Sequence, residues 1–295
     1  WKGEVPRLTN QCGQYTVKNS EREAYEAEIA AWIEEGWLVP YDREKHGEVD
    51  GVVPLMSVCQ ANKQGKVRPV MDYREVNDYV MCYPGVDAAV CGEKLRQWRK
   101  LGSQTSLLDL RKAYLQLHVS DDMVRFQAVR HQGQLYVMTR LGFGLNVAPK
   151  IMSRVLGKVL SLDATVAAGT DHYVDDIIVN ESVVSVDKVK QHLTEYGLES
   201  KDPEPLDGAR VLGLRVSQRN GDAVWQRDNV LPEVGADNCT RRELFSICGR
   251  LVGHYPRVGW LRVACAFVKR EAGSIGWDER VPDHVRCMME EMVER

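Results

Sequence analysis

From Ser20 to Val39, in SEREAYEAEIAAWIEEGWLV, the apolar residues Tyr25, Ile29, Trp32 and Ile33 recur at helical spacing. Ser20 and Glu23 form a capping-box pattern at its start, so the pattern predicts an amphipathic helix. The period then changes. Val52–Gln60 and Val67–Tyr73 read as strands joined by the polar, Gly-containing tip ANKQGK. Asp87–Leu101 returns to helical spacing, with Leu95 and Trp98 directed inward. In SLLDLRKAYLQLHV an apolar strand is followed by the alternation Leu115, Leu117, Val119. FQAVRHQGQLYVMTRL predicts a hairpin turning near Gln132-Gly133. NVAPKIMSRVLGKVL predicts a helix with Pro149 in its first turn. Two strands separated by Asp175-Asp176, a helix around Val186–Tyr196 and a strand near Arg210–Val216 follow. Leu231–Asn238 reads as a linker, and the pattern is helical from Thr240 onward. The fold class is therefore α+β with a helical carboxyl-terminal part.

Composition narrows the function classes. The 295 residues, 44% hydrophobic and 27% charged, suit a globular chain with room for two or three subdomains. No apolar run approaches the roughly 20 residues that cross a bilayer, so no membrane partner is expected. The start WKGEVPRLTN does not resemble a signal peptide, and both ends suggest a segment of something longer. The eight cysteines are scattered with no C-x-x-C pair, which points to reduced thiols and a cytoplasmic setting. A net charge of −3 does not by itself favour nucleic acid.

The candidate chemistry lies in HYVDDIIVN, residues 172–180, where Asp175 and Asp176 interrupt an apolar run. Neighbouring strand residues point to opposite faces, so the two carboxylates converge only at a tight hairpin tip. A bare Asp pair is ordinarily a solvated turn. Here the flanks are too apolar for that, and a third carboxylate, Asp109, sits equally oddly within Leu107–Leu110. A divalent cation with hard oxygen ligands, Mg²⁺ or Mn²⁺, compensates such charge. The implied chemistry is phosphoryl transfer assisted by two metals about 3.5–4 Å apart.

At these residues the chain resembles the reverse transcriptases of LTR retrotransposons, most closely of the gypsy or BEL type, and of retroviruses. The resemblance runs from about Thr16 to Arg270, with Asp109 in the first catalytic motif and YVDD as the double-aspartate motif. It implies a right-hand polymerase whose ferredoxin-like palm carries the carboxylates. Residues 1–86 and 116–147 would form the fingers, 87–115 and 148–230 the palm, and 231–295 a linker and helical thumb. Asp109 and Asp175 would hold both metals, Asp176 would support them, and the Leu110 carbonyl would complete one shell. Tyr114 would be a steric gate that rejects the ribose 2′-hydroxyl.

RLGFGLNVAPKIM resembles the family's Pro-Phe-Gly-Leu-x-Asn-Ala-Pro motif, with Gly142 where proline is usual. Phe143 and Gly144 would flank the nucleotide sugar. KQGKVRPVMDYREVN resembles the closing fingers hairpin, in which Arg68 and either Lys63 or Lys66 would meet the triphosphate. Asp72 and Arg74 would make structural or template-side contacts. Lys201 falls near the family's lysine that protonates pyrophosphate, a general acid. Tyr173, Val174, Leu212 and Gly213 would grip the primer. Between Cys239 and Arg270 the cations Arg241, Arg242, Arg250, Arg257, Arg262, Lys269 and Arg270 face a single acid, Glu243. That excess suits a surface tracking a phosphate backbone, with Arg241 and Arg250 as contacts.

The implied activity is RNA- and DNA-directed DNA synthesis from dNTPs on a primed template, with oligomeric state unread. One alternative is a domesticated nucleic-acid-binding or assembly module, against which the intact aspartate triad argues. Another is an RNA-synthesising polymerase, against which Tyr114 argues.

Overall fold

The computed structural model describes residues 1–49, 51–59, 66–81, 93–94, 97–98, 100–101, 104–212, 214–219, 222–226, 239–254 and 258–294. Helices and strands are mixed, as an α+β chain requires. The chain divides into two compact units, Trp1–Val86 with Gln104–Glu204, and Asp87–Ser103 with Pro205–Arg295.

In the first unit, the helix Asn19–Glu34 buries Tyr25, Ile29 and Trp32 as the spacing predicts. Its start differs from the expected capping box. Lys18 is the N-cap and offers no side-chain bond, while Glu21 turns inward to accept from Ser57 Oγ at 2.8 Å. Its end also comes earlier than the apolar pattern suggests. Gly36 takes φ +67°, the Gly36 N–H reaches Ile33 O at 3.1 Å and the Trp37 N–H reaches Trp32 O at 2.9 Å. This paired closure is a Schellman cap, and it frees β1 (Leu38–Pro40) to leave as a strand.

β2 (Leu55–Cys59) and β3 (Val67–Met71) pair antiparallel, with Val58 opposite Arg68. β4 is Thr105–Asp109. After it the expected alternation does not continue as strand: Ala113–Gln116 closes into a 3₁₀ turn, which buries Ala113 and Leu115. β5 (Ala128–His131) and β6 (Gln134–Met138) form the anticipated hairpin, and β1 completes their sheet in the order β1-β6-β5. Gln132 and Gly133 both have positive φ, 48° and 79°, the combination a type I′ hairpin turn demands.

The helix Ala148–Leu160 carries Pro149 in its first turn and buries Met152, Leu156 and Val159. A short helix, Ala164–Gly169, which the sequence did not suggest, is capped by Asp163 through Thr165 N and Val166 N. β7 (Thr170–Tyr173) and β8 (Asp176–Asn180) follow, and β8 lies between β7 and β4 in their sheet. The helix Val186–Glu195 is capped by Ser185. One buried core gathers Tyr25, Ile29, Leu38, Met71, Tyr73 and Met138. A second gathers Leu108, Ile177 and Val179 with Met152, Leu156 and Leu193.

In the second unit the expected single strand over 210–216 is a hairpin. β9 (Arg210–Val211) pairs with β10 (Leu214–Arg219), which pairs with β11 (Asp222–Gln226). Leu212 takes the turn at φ +50°. Helices Arg241–His254, Gly259–Glu271 and Asp283–Glu294 share a core that includes Cys248, Leu251, Cys265, Val285 and Met289. Trp98 is fully buried. Leu95 and the expected linker 231–238 lie outside the described residues. Among the described residues, six cysteines are free thiols, and no helix is long and apolar enough to cross a membrane.

Candidate active site

Register brings two of the three carboxylates together. β4 and β8 pair so that Asp109 stands opposite Asp176, and β7 and β8 pair so that Tyr173 stands opposite Asp176. Directly opposed residues project to the same face, so Tyr173, Asp176 and Asp109 form one row across the sheet edge. The alternate row, Leu108 opposite Ile177, is fully buried against the core. That apolar face anchors the strands and accounts for the apolar flanks in the sequence.

Val174 and Asp175 make the two-residue connection between β7 and β8. Val174 sits at φ +56°, a left-handed conformation costly for a β-branched residue. Backbone strain of this kind persists where surrounding structure over-determines it, commonly at functional sites. Here the half-buried Val174 side chain packs against the second core.

The electrostatics match the crowding. Burial, with the Asp109 charge adding to it, raises the Asp175 carboxyl above the usual range; Lys201 and Arg68 act against the rise. Burial, then Asp175, then Asp109 push Asp176 up to about 7. Lys201 Nζ bonds to Asp109 Oδ2, and the Lys201 N–H donates to the Asp109 carbonyl at 2.8 Å. Leu110 is buried, and its backbone bridges Ser200.

Beside the row, Tyr114 and Phe143 meet edge to face with ring centroids 5.0 Å apart. Burial first, and then the charges of Asp175 and Tyr173, push the Tyr114 phenol up to about 12. Arg68 extends its guanidinium over the Phe143 ring at 5.5 Å. Asp109, Asp175, Asp176, Lys201, Tyr114, Phe143 and Arg68 therefore form one connected neighbourhood within the first unit.

A clamp that the sequence did not reveal holds the loop carrying Phe143. The buried Tyr73 hydroxyl donates to Gln127 Oε1 at 2.6 Å, and Gln127 Nε2 donates to the carbonyls of Met138 and Arg140 at 3.0 and 2.9 Å. Asn77 Nδ2 donates to the Gly144 carbonyl at 2.9 Å, and Asn77 Oδ1 accepts from the Asn146 N–H at 2.9 Å. Gly144 runs at φ +110°, where a Cβ would come within 2.8 Å of the Met71 carbonyl oxygen. Periodicity marks Tyr73 and Gln127 only as core and Asn77 only as surface, so no local signal identifies the clamp.

Asp72 and Arg74 pair with each other: Arg74 Nε lies 2.9 Å from both Asp72 carboxylate oxygens, and the Tyr15 hydroxyl donates to Asp72 Oδ2 at 2.8 Å. Hydrogen bonding from Arg74 holds Asp72 down at about 2. Leu212, Arg241 and Arg250 belong to the second unit. Arg241 is half-buried, lies 4.3 Å from the Trp277 ring centroid and donates to the Ile275 carbonyl. Arg242 forks onto Asp278. Arg250 is exposed. Lys63, Gly213 and Arg257 lie outside the described residues.

Among the described residues, no three His, Cys, Asp or Glu side chains make a metal cage on their own. The donor set nonetheless fits a hard divalent cation. It offers only carboxylate oxygens, and two of the carboxyls are driven towards protonation by burial and by each other. Mg²⁺ typically uses one or two carboxylates and completes its shell with water and substrate phosphates, so a full protein cage is not required.

Residues 240–295 match the model of a family described as a domain of unknown function (DUF7047). No curated protein matches the chain. Among solved structures, the chain is similar to the foamy viral protease-reverse transcriptase dRH in complex with double-stranded DNA. That likeness has 20% identity and a TM-score of 0.69, and covers 99% of this chain and 50% of that one. The foamy viral protease-reverse transcriptase with an RNA/DNA hybrid matches at 19% identity and TM-score 0.65, over 99% of this chain and 38% of that one. The same enzyme with double-stranded DNA matches at 19% identity and TM-score 0.61, over 99% and 60%. The chain thus spans between 38% and 60% of the length of these relatives. At such identities the likeness bears on architecture, and the chain has a retroviral reverse transcriptase-like fold.

Proposed function

We propose that this chain is an RNA- and DNA-directed DNA polymerase, a reverse transcriptase of retroviral or LTR-retrotransposon type. The observation that carries the reading is the facing of Asp109 and Asp176 across β4 and β8, with Asp175 at the strained tip beside them. Nothing in packing requires three acids on one partly buried sheet edge, and like charges directly opposed destabilise a sheet. The foamy viral neighbours are complexes with double-stranded DNA or RNA/DNA hybrid, which supports a primed RNA or DNA template as partner.

In this reading the first unit contains the palm strands β4, β7 and β8 and the fingers hairpin β2–β3, and the helices from Arg241 onward form the thumb. Two Mg²⁺ or Mn²⁺ ions held by Asp109, Asp175 and Asp176, with the Leu110 carbonyl, would supply charge stabilisation for phosphoryl transfer. The chain's own residues do the rest by position. Tyr114, braced by Phe143, would stack under the nucleotide sugar and leave no room for a 2′-hydroxyl. Arg68 and Lys63 or Lys66 bind the dNTP phosphates. Tyr173 and Val174 would border the primer end, and Leu212 and Gly213 would grip the primer.

Primer extension on a primed RNA template tests the reading. Wild type should extend with dNTPs in Mg²⁺ or Mn²⁺, and Asp175→Asn should not. Template binding without extension by wild type in either metal would favour a binding or assembly module instead.

A further inference from the structure

Lys201 reaches the acidic row from far along the chain, and several bonds fix its approach. The Arg111 N–H donates to the Glu199 carbonyl at 2.9 Å, and the Glu199 N–H donates to Gln116 Oε1 at 2.6 Å. Gln116 Nε2 returns a bond to the Glu199 carbonyl at 2.9 Å, and Leu110 bridges Ser200. The backbone at Lys201 is thereby attached to Asp109 and to the residues that follow it. Its ammonium bonds Asp109 Oδ2 while the Lys201 side chain remains 51% exposed and Asp109 38% exposed. The ammonium is thus held at one oxygen yet has open water beside it.

Resting on the polymerase reading above, we propose that Lys201 is the resident counter-ion of Asp109 and competes with a divalent cation for that carboxylate oxygen, so that it sets how readily the site takes up metal. A carboxylate oxygen in a direct ion pair has part of its acceptor capacity occupied, and a cation approaching it also meets the ammonium charge. Displacement of the ammonium from Asp109 leaves Lys201 unpaired at the edge of the site. In that unpaired condition its proton would be open to a leaving phosphate, the role that the family resemblance implies for Lys201. The anchored backbone keeps the side chain within reach throughout.

The test is Mn²⁺ binding to nucleotide-free, chelator-treated protein, followed by the paramagnetic resonance signal of free Mn²⁺. Lys201→Met keeps the aliphatic stem and removes the charge; it should bind Mn²⁺ roughly fivefold more tightly than wild type. Lys201→Arg should stay near wild type. The gain should persist in about 1 M KCl, where the screening length falls to about 3 Å and only direct competition survives. Equal or weaker Mn²⁺ binding by Lys201→Met, or a gain abolished by salt, overturns the proposal and leaves the polymerase reading standing. Absence of Mn²⁺ binding in both proteins also overturns the proposal, and primer extension alone then decides the polymerase reading, because substrate phosphates complete the metal's shell there. Circular dichroism of the variants separates these outcomes from misfolding, since Lys201→Arg preserves the ion pair.

Discussion

The ring of Tyr73 fills the space beside Gly142: a Cβ on Gly142 would stand 1.9 Å from the Tyr73 hydroxyl oxygen and 2.4 Å from two of its ring carbons. Glycine here, where the related motif carries proline, is therefore required by a buried neighbour and is not a neutral exchange. Gly142→Ala should destabilise the chain by about 1–3 kcal/mol, the usual penalty of overpacking. Thermal unfolding measures it. A variant as stable as wild type would show that Tyr73 can move aside.

Asn77 is half-buried and bonds both sides of the loop that follows Phe143. Asn77→Ala should leave stability within about 1 kcal/mol of wild type, because its partners can turn to water. Nucleotide binding should suffer more: KM for dNTP should rise several-fold with kcat less affected. A kcat loss with unchanged KM would assign Asn77 elsewhere.

Asp176 carries the pH dependence. Its folded value, about 7, lies above the roughly 3.9 of an unfolded aspartate. Between those limits the folded chain holds a proton that the unfolded chain has released. Stability should therefore fall as pH rises from about 4 to about 7 and then level off. Asp176→Asn should flatten that slope and be the more stable protein at pH 8, by about 1–3 kcal/mol. Urea unfolding across the range reads both. Added Mg²⁺ should stabilise wild type more at pH 8 than at pH 5.

Tyr114 tests the sugar selectivity. Tyr114→Ala removes the ring that meets Phe143 and should lower the preference for dNTP over rNTP by roughly tenfold or more. Competitive extension with matched nucleotides gives the ratio. An unchanged ratio would remove Tyr114 from that role.

The arginines of the second unit should separate by role. Arg241 is engaged by Trp277, Phe245 and the Ile275 carbonyl, so Arg241→Ala should cost stability, about 1–2 kcal/mol. Arg250 is exposed, so Arg250→Ala should leave stability unchanged and, if it meets phosphate, reduce the salt slope of nucleic-acid binding by about 1. Arg241 and Arg242 are thus both engaged by groups within the second unit.

What the sequence showed and hid follows physical range. The strand–Asp-Asp–strand hairpin was legible because apolar strands around two acids contradict a solvated turn. The Gln132-Gly133 hairpin was legible because the turn chemistry is local. The first helix was misjudged at both ends: Gly36 outweighed two further apolar residues, and Glu21 was drawn inward by Ser57 on another strand. Periodicity alone reads Arg210–Val216 as one strand, because a leucine with positive φ leaves no compositional mark; only the family resemblance points to a hairpin centred on Leu212 and Gly213. Asp109 and Lys201 were each identified, yet their bond was not, because 92 residues separate them and only tertiary structure relates them.

That separation has a consequence for how the chain acquires its site. Chains emerge amino end first, so β4, β7 and β8 are complete before Lys201 follows. Until the segment from Glu199 docks onto Arg111 and Gln116, Asp109 lacks its ammonium partner. The nascent acidic row is then at its most repulsive and its most open to cations. The last component of the row to arrive is thus the one that offsets its charge, delivered only after the strands that carry the acids are in place.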